Sequence, residues 1–221
     1  ALQRAAGRKD PLVIVDQATA VRGGRYVDFL VPGLLGSGIM AGGMWGVGFA
    51  IVDMRIRKLL KRYLATPMKK RDFLAAILLS RLAFLLPEAA ALLVFAYFFF
   101  GVTVAGSWLA VLFLVLLGSL AFSGIGLLVA CRAKTIEAVS GLMNLVMVPL
   151  WICGGIFFSA TNFPDEMLAI VRYLPMNAFL DALRPVMIDG LPLFDYWREI
   201  LILAAWSVVT FALGLRRFRW N

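Results

Sequence analysis

DMRIRKLLKRYLATPMKKRD, residues 53–72, holds eight of the 22 Lys and Arg residues of this 221-residue chain and lies between two long apolar runs. Read as a helix from Asp53 to Ala65, it gathers Ile56, Leu59, Leu60, Tyr63 and Leu64 on one face and Arg55, Arg57, Lys58, Lys61 and Arg62 on the other. Asp53 stands at the end where a helix favours negative charge, and Lys61 and Arg62 stand where it favours positive charge. Thr66-Pro67 ends the helix, because proline lacks the backbone donor and disfavours helical geometry at the residue before it. Thr66 can then cap the following helix with Pro67 at its first position.

Outward from this island the chain is apolar. With 62% hydrophobic and 16% charged residues it has too little polar surface to coat a soluble globule, and uncharged runs long enough to cross a hydrocarbon core of about 30 Å recur along it. The expectation is an all-α integral membrane protein with five visible spans. A net charge of +9 would raise nucleic acid as a partner for a soluble protein, but here the excess tracks the sidedness that orients membrane insertion. The chain has no histidine, which excludes imidazole metal sites and Ser-His triads. Cys131 and Cys153 fall at different depths, so two unpaired thiols are expected and no metal site is.

In chain order, residues 1–28 form a polar lead-in, with 11–15 reading as a short strand and Gly23-Gly24 as a hinge. The first span covers 29–52 and carries Gly38, Gly42 and Gly46 at intervals of four, a stripe that lets another helix come close. After the basic segment, 73–80 reads as an interfacial approach, Arg81 as a side chain snorkelling to the headgroups, and Leu82 to Phe100 as the second span. Glu88 then lies inside the membrane. It is open as a partner of Arg81, a neutral core acid or a substrate contact, and a rise of about 10 Å over seven residues argues against a direct Arg81 bond. The third span is 107–130, a short turn 131–137 carries Arg132 and Lys134, and the fourth span is 138–158, with a kink or broken upper end at Pro149 and Gly154-Gly155. Asn144 and Ser123 are candidates for the substrate path, though Ser and Asn in spans commonly bond between helices. Residues 159–199 are too polar to span and read as two short helices, one opening at Pro164-Asp165-Glu166 and one running from Pro175 through Arg184. The last span is 200–215 and the tail is 216–221.

Thirteen basic residues fall in 53–72, 131–137 and 216–221, which share one side if all five spans cross; eight fall in the lead-in and 159–199. That bias places the C-terminus in the cytosol and the N-terminus outside, and an additional span upstream of Ala1 is expected.

RYVDFLVPGLLG at 25–36, RKLLKRYLATPMKKRDFLAAILLSRL at 57–82 and LPMNAFLDALRPVMIDG at 174–190 together resemble the permease subunits of type-2 ATP-binding-cassette exporters. The resemblance covers nearly all of the chain from Arg25. It implies a subunit of six spans in the inner membrane, paired as a homodimer or with a related permease, with the lead-in ending an extracytoplasmic domain. It implies that Arg55 to Leu64 and Pro67 form a coupling helix docking on a cytosolic ATPase subunit that carries the ATP and Mg, with no cofactor on this chain. It implies that 159–199 forms re-entrant helices capping the path, with Pro164, Pro175, Asn177, Asp181 and Arg184 as gate residues. The chain itself has no phosphate-binding G-x-x-x-x-G-K-[ST] loop, since GGMWGVG at 42–48 is followed by no lysine.

Three classes of function fit an apolar multi-span chain. A transporter subunit moving an amphiphilic, drug-like or lipid-like substrate agrees with the resemblance. A membrane enzyme on lipid-linked substrates needs converging acid, base or metal groups, and Glu88 stands almost alone in the spans. A passive channel or structural anchor is the third class.

Overall fold

The computed structural model describes residues 25–64, 69–156 and 164–217. The strand at 11–15, the Gly23-Gly24 hinge and Thr66-Pro67 lie outside them. The described residues contain no strand and form eight α-helices: α1 (Tyr26–Ile56), α2 (Leu59–Leu64), α3 (Lys70–Phe100), α4 (Trp108–Arg132), α5 (Ile136–Cys153), α6 (Asp165–Val171), α7 (Pro175–Arg184) and α8 (Trp197–Arg217). A π-turn at Pro185–Asp189 and a 3-10 turn at Leu193–Tyr196 join α7 to α8. Five helices, α1, α3, α4, α5 and α8, are long and apolar enough to cross a membrane.

The hub is α4. Two-thirds of its apolar window is buried, against 17% for α3, because α1 packs along one side of α4 and α8 along another. Lateral attraction in lipid comes from close packing rather than from expelled water, so small residues at the seams matter. Gly126 meets the backbone of Met44, Gly43 meets Phe122 and Ser123, and Gly124 faces Thr210. The exposed faces of α3 and α5, including Phe84, Phe95, Phe98, Leu145 and Ile152, are apolar, as a lipid-facing surface must be.

Two element boundaries differ from expectation. The interfacial approach and second span form one helix, α3, whose 31 residues make it about 46 Å long, enough to cross the core and project beyond it. The single helix expected over Asp53–Ala65 is divided. α1 runs through the membrane run to Ile56, and Lys58 adopts a left-handed conformation (φ 57°) before α2 begins. Such a residue just past a helix end closes the last turn, here with Lys58 N–H donating to the Arg55 carbonyl at 3.0 Å. A helix continuous with a span would keep the span's direction, and the break lets α2 leave it.

The end of the bundle at Gly154-Gly155 follows the sequence closely. α5 stops at Cys153 and Gly155 adopts a left-handed conformation (φ 67°), giving the broken upper end expected at Gly154-Gly155. α7 starts at Pro175, where proline's missing donor costs nothing.

Candidate functional site

Three places on this frame carry polar chemistry. The first is the basic end of the bundle. Arg55 Nη1 donates to the carbonyls of Ala130, at 3.0 Å, and of Ala133. These lie at the C-terminus of α4, where carbonyls lack intrahelical partners and a cation is favoured. Cys131 Sγ donates to the Gly214 carbonyl at 3.7 Å, so the last turns of α1, α4 and α8 meet at this end. Arg57, Lys58 and Arg62 are exposed there, with Arg57 held by Asp53 at 2.9 Å.

This arrangement corrects the expected ridge. Ile56 is 48% exposed while Leu60 is 1% exposed and belongs to the chain's own core with Phe73 and Leu74. Leu59 is half-buried. The break at Arg57-Lys58 separates Ile56 from Leu59 and Leu60, so these three do not share the one helix face expected. Arg55 is likewise not free for a partner, because its guanidinium is engaged by α4. The side chains of Lys61, Tyr63 and Leu64, and all of Pro67, lie outside the described residues.

The second place is an ion pair within α3, lying against α1. Arg81 Nη2 donates to Glu88 Oε2 at 2.7 Å, contrary to the expectation that seven residues of helix rise would keep them apart. Two long side chains extended along one helix face bridge that rise. Nor does Arg81 snorkel: its side chain is 16% exposed and lies over Gly42 and Gly46 of α1. A Cβ at Gly42 would collide with the guanidinium, and one at Gly46 would sit 3.1 Å from Arg81 Cδ. The glycine stripe therefore admits a neighbouring helix through a charged side chain, and the close backbone approach is made elsewhere, by Gly126. Below the pair, α1 and α3 enclose a cleft of about 570 Å³ lined by Gly46, Ala50, Ile77, Arg81 and Phe84 among others.

The remaining candidates for the path do not join this pair. Ser123 is 1% exposed in the α1–α4 seam, its hydroxyl without a hydrogen-bond partner, and Asn144 is exposed on α5. Ser123 is thus a small packing residue beside Gly43.

The third place is the buried helix α7 at the opposite end of the bundle. α7 is buried along Pro175 to Leu180, and two of its polar side chains fasten it beneath the broken end of α5. Asn177 Nδ2 donates to the carbonyls of Cys153, at 2.7 Å, and Val171, at 2.8 Å. Arg184 donates to the Gly155 carbonyl and, at 3.4 Å, to that of Ile156, with its guanidinium stacked 3.6 Å from the Phe29 ring centroid. Burial pushes Arg184 down to about 10, with Asp181 opposing the shift, so it stays charged at neutral pH. Pro164 sits exposed before α6, and Asp181 is exposed on α7. Sequence patterning had no means of finding the carbonyl partners, because they depend on where α5 stops. Asn177→Ala strands two carbonyls and is expected to cost about 1–3 kcal/mol, read as a lower midpoint in denaturant unfolding of the solubilised protein.

A family model described as ABC-2 family transporter protein matches residues 9–216. The chain is 27% identical over 176 residues to the linearmycin resistance permease protein LnrN of Bacillus subtilis, which covers 80% of this chain and 46% of that protein. It is 24% identical over 204 residues to the inner membrane transport permease YadH of Escherichia coli K12, covering 89% and 79%. It is 27% identical over 115 residues to nodulation protein J of Rhizobium leguminosarum bv. trifolii, covering 51% and 44%. The chain thus spans less than half the length of LnrN and of that nodulation protein, and most of YadH.

Proposed function

The chain belongs to the ABC-2 family of transporter membrane proteins, and from that premise we propose that it is the permease subunit of an ATP-driven exporter, coupled through its basic end to a separate cytosolic ATPase. The observation that carries this reading is the divided segment after α1: three exposed cations, Arg57, Lys58 and Arg62, flank a backbone break one turn beyond the Arg55 bonds to α4. A partner that pushes on α2 pushes on the ends of α1 and α4 together. Positive-inside bias supports a cytosolic location for this end, which also holds Arg132, Lys134 and the Arg216-Arg217 pair, and hence a cytosolic C-terminus.

Two copies enclose the path and alternate its access, with the fastened α7 as the outer barrier. The cargo is an amphiphile, in keeping with apolar helices whose polar groups are few and clustered. The relatives' names differ in what they point to, linearmycin resistance in one and nodulation in another.

Affinity purification of the full-length, tagged permease from its native membrane tests the proposal. An ABC ATPase is expected to be retained in near-equal amount and to hydrolyse ATP; its consistent absence under mild solubilisation would sink the exporter reading.

A further inference from the structure

The ion pair and the cleft beneath it point to a binding site. Arg55 and Arg184 give their donors to backbone carbonyls, which fix them as fasteners. The Arg81 guanidinium, among the described residues, bonds only to the Glu88 carboxylate, through Nη2; its Nε, like those of Arg55 and Arg184, is buried without an acceptor. A guanidinium offers five donors, so most of the Arg81 donors remain available. Arg81 stands in the wall of the 570 Å³ cleft, which is otherwise lined by Ala50, Ile77, Phe84 and Gly46 among other apolar or small residues, with Ser80 and Asp72 as its further polar groups.

We propose that this cleft binds the acidic head of a single-chain amphiphile at Arg81, with its tail along Ile77 and Phe84 toward the lipid, and that Glu88 acts as a competing internal carboxylate that keeps the binding reversible.

The pattern of charge favours an anion over a cation. Glu88 is half exposed but its carboxylate is already bonded to Arg81. Asp72, the one acid lining the cleft, lies nine residues toward the helix start and is paired with Arg71 at 3.5 Å. That is about 13 Å along α3, so it repels a second anion from the far rim and leaves the Arg81 end as the seat. A planar guanidinium binds phosphate or carboxylate in a forked geometry that a neutral head does not satisfy. The glycine stripe is what gives Arg81 its place, since a side chain at Gly42 would displace the guanidinium and one at Gly46 would crowd its Cδ.

The inference rests on the exporter reading only in calling the ligand cargo. Its test is equilibrium binding of radiolabelled dodecyl phosphate to the full-length permease in phosphatidylcholine nanodiscs, with dodecyltrimethylammonium and dodecyl maltoside as competitors. Saturable binding that neither competitor displaces is expected. Glu88→Gln is expected to tighten it about tenfold, the lower end of couplings measured for close charge pairs. Arg81→Gln removes it, and so does Arg81→Gln with Glu88→Gln, a pair of changes that leaves no unpaired charge and keeps the fold testable by thermal unfolding. Equal displacement by the cationic or neutral competitor, or an unchanged affinity in Glu88→Gln, overturns the proposal. Loss of dodecyl phosphate binding when phosphatidylglycerol is added to the nanodisc overturns it too, since the seat would then be a lipid site. None of these outcomes depends on the ATPase, so a failed co-purification and a failed binding isotherm are separate results.

Discussion

Gly126→Ala is expected to destabilise the bundle by about 3 kcal/mol, the upper part of the range for overpacked cores, while Gly141→Ala stabilises it by up to about 1 kcal/mol. Both residues are glycines within spans, and hydropathy does not tell them apart. A Cβ at Gly126 would meet the Met44 carbonyl oxygen at 2.7 Å and its Cα at 2.8 Å, so backbone opposes it and no side chain can swing aside. The α1–α4 seam must open, and that is the most extensive contact in the molecule. At Gly141 nothing lies within 4 Å, so the added methyl removes only glycine's helix penalty. Parallel unfolding of the two variants in one detergent, read by far-ultraviolet circular dichroism against added dodecyl sulfate, gives opposite shifts. Shifts of the same sign would show that the seam does not govern stability.

The contrast between these glycines explains what could be read without coordinates. The five spans, the broken end at Gly154-Gly155 and the paired helices around Pro164 and Pro175 were legible because proline, glycine and unbroken hydropathy act locally. The division after Ile56 was not, because Arg57-Lys58 contains neither breaker and the amphipathic pattern runs straight through it. What ends α1 is a left-handed lysine stabilised by backbone bonds, a conformation that non-glycine residues adopt uncommonly. The Arg81–Glu88 bond was legible as a possibility but disfavoured, because an axial rise of about 10 Å leaves it to long side-chain reach, which both side chains here supply. The glycine stripe was legible as a place of close approach, but its occupant was not, because spacing tells where room exists and not which atom takes it.

These corrections change how the basic end works. From the sequence alone, either the apolar or the basic face of this segment could have met a partner. With Leu60 inside the chain's own core and the cations outside, the proposed coupling calls for a partner surface that is acidic or rich in carbonyls and a hold that weakens with salt. On that proposal movement passes inward through α2's buried Leu60 and through Arg55.

Docking and transmission should therefore separate by mutation. Neutralising Arg57, Lys58 and Arg62 together is expected to lower ATPase retention at least tenfold at physiological salt, with wild-type amounts of permease in the membrane, because three exposed cations acting on one acidic surface contribute about 1.4 kcal/mol or more jointly. Arg55→Leu is expected to do the reverse. Its cation faces α4 and not solvent, so the ATPase still binds. The carbonyls of Ala130 and Ala133 lose a charged donor worth about 1.5–3 kcal/mol, and α1 can then move without carrying α4. ATP hydrolysis would continue while transport into inverted vesicles falls. Quantitative co-purification alongside vesicle transport distinguishes the two variants. If Arg55→Leu releases the ATPase as the triple variant does, then Arg55 belongs to the docking surface and the bonds to α4 do not transmit its movement.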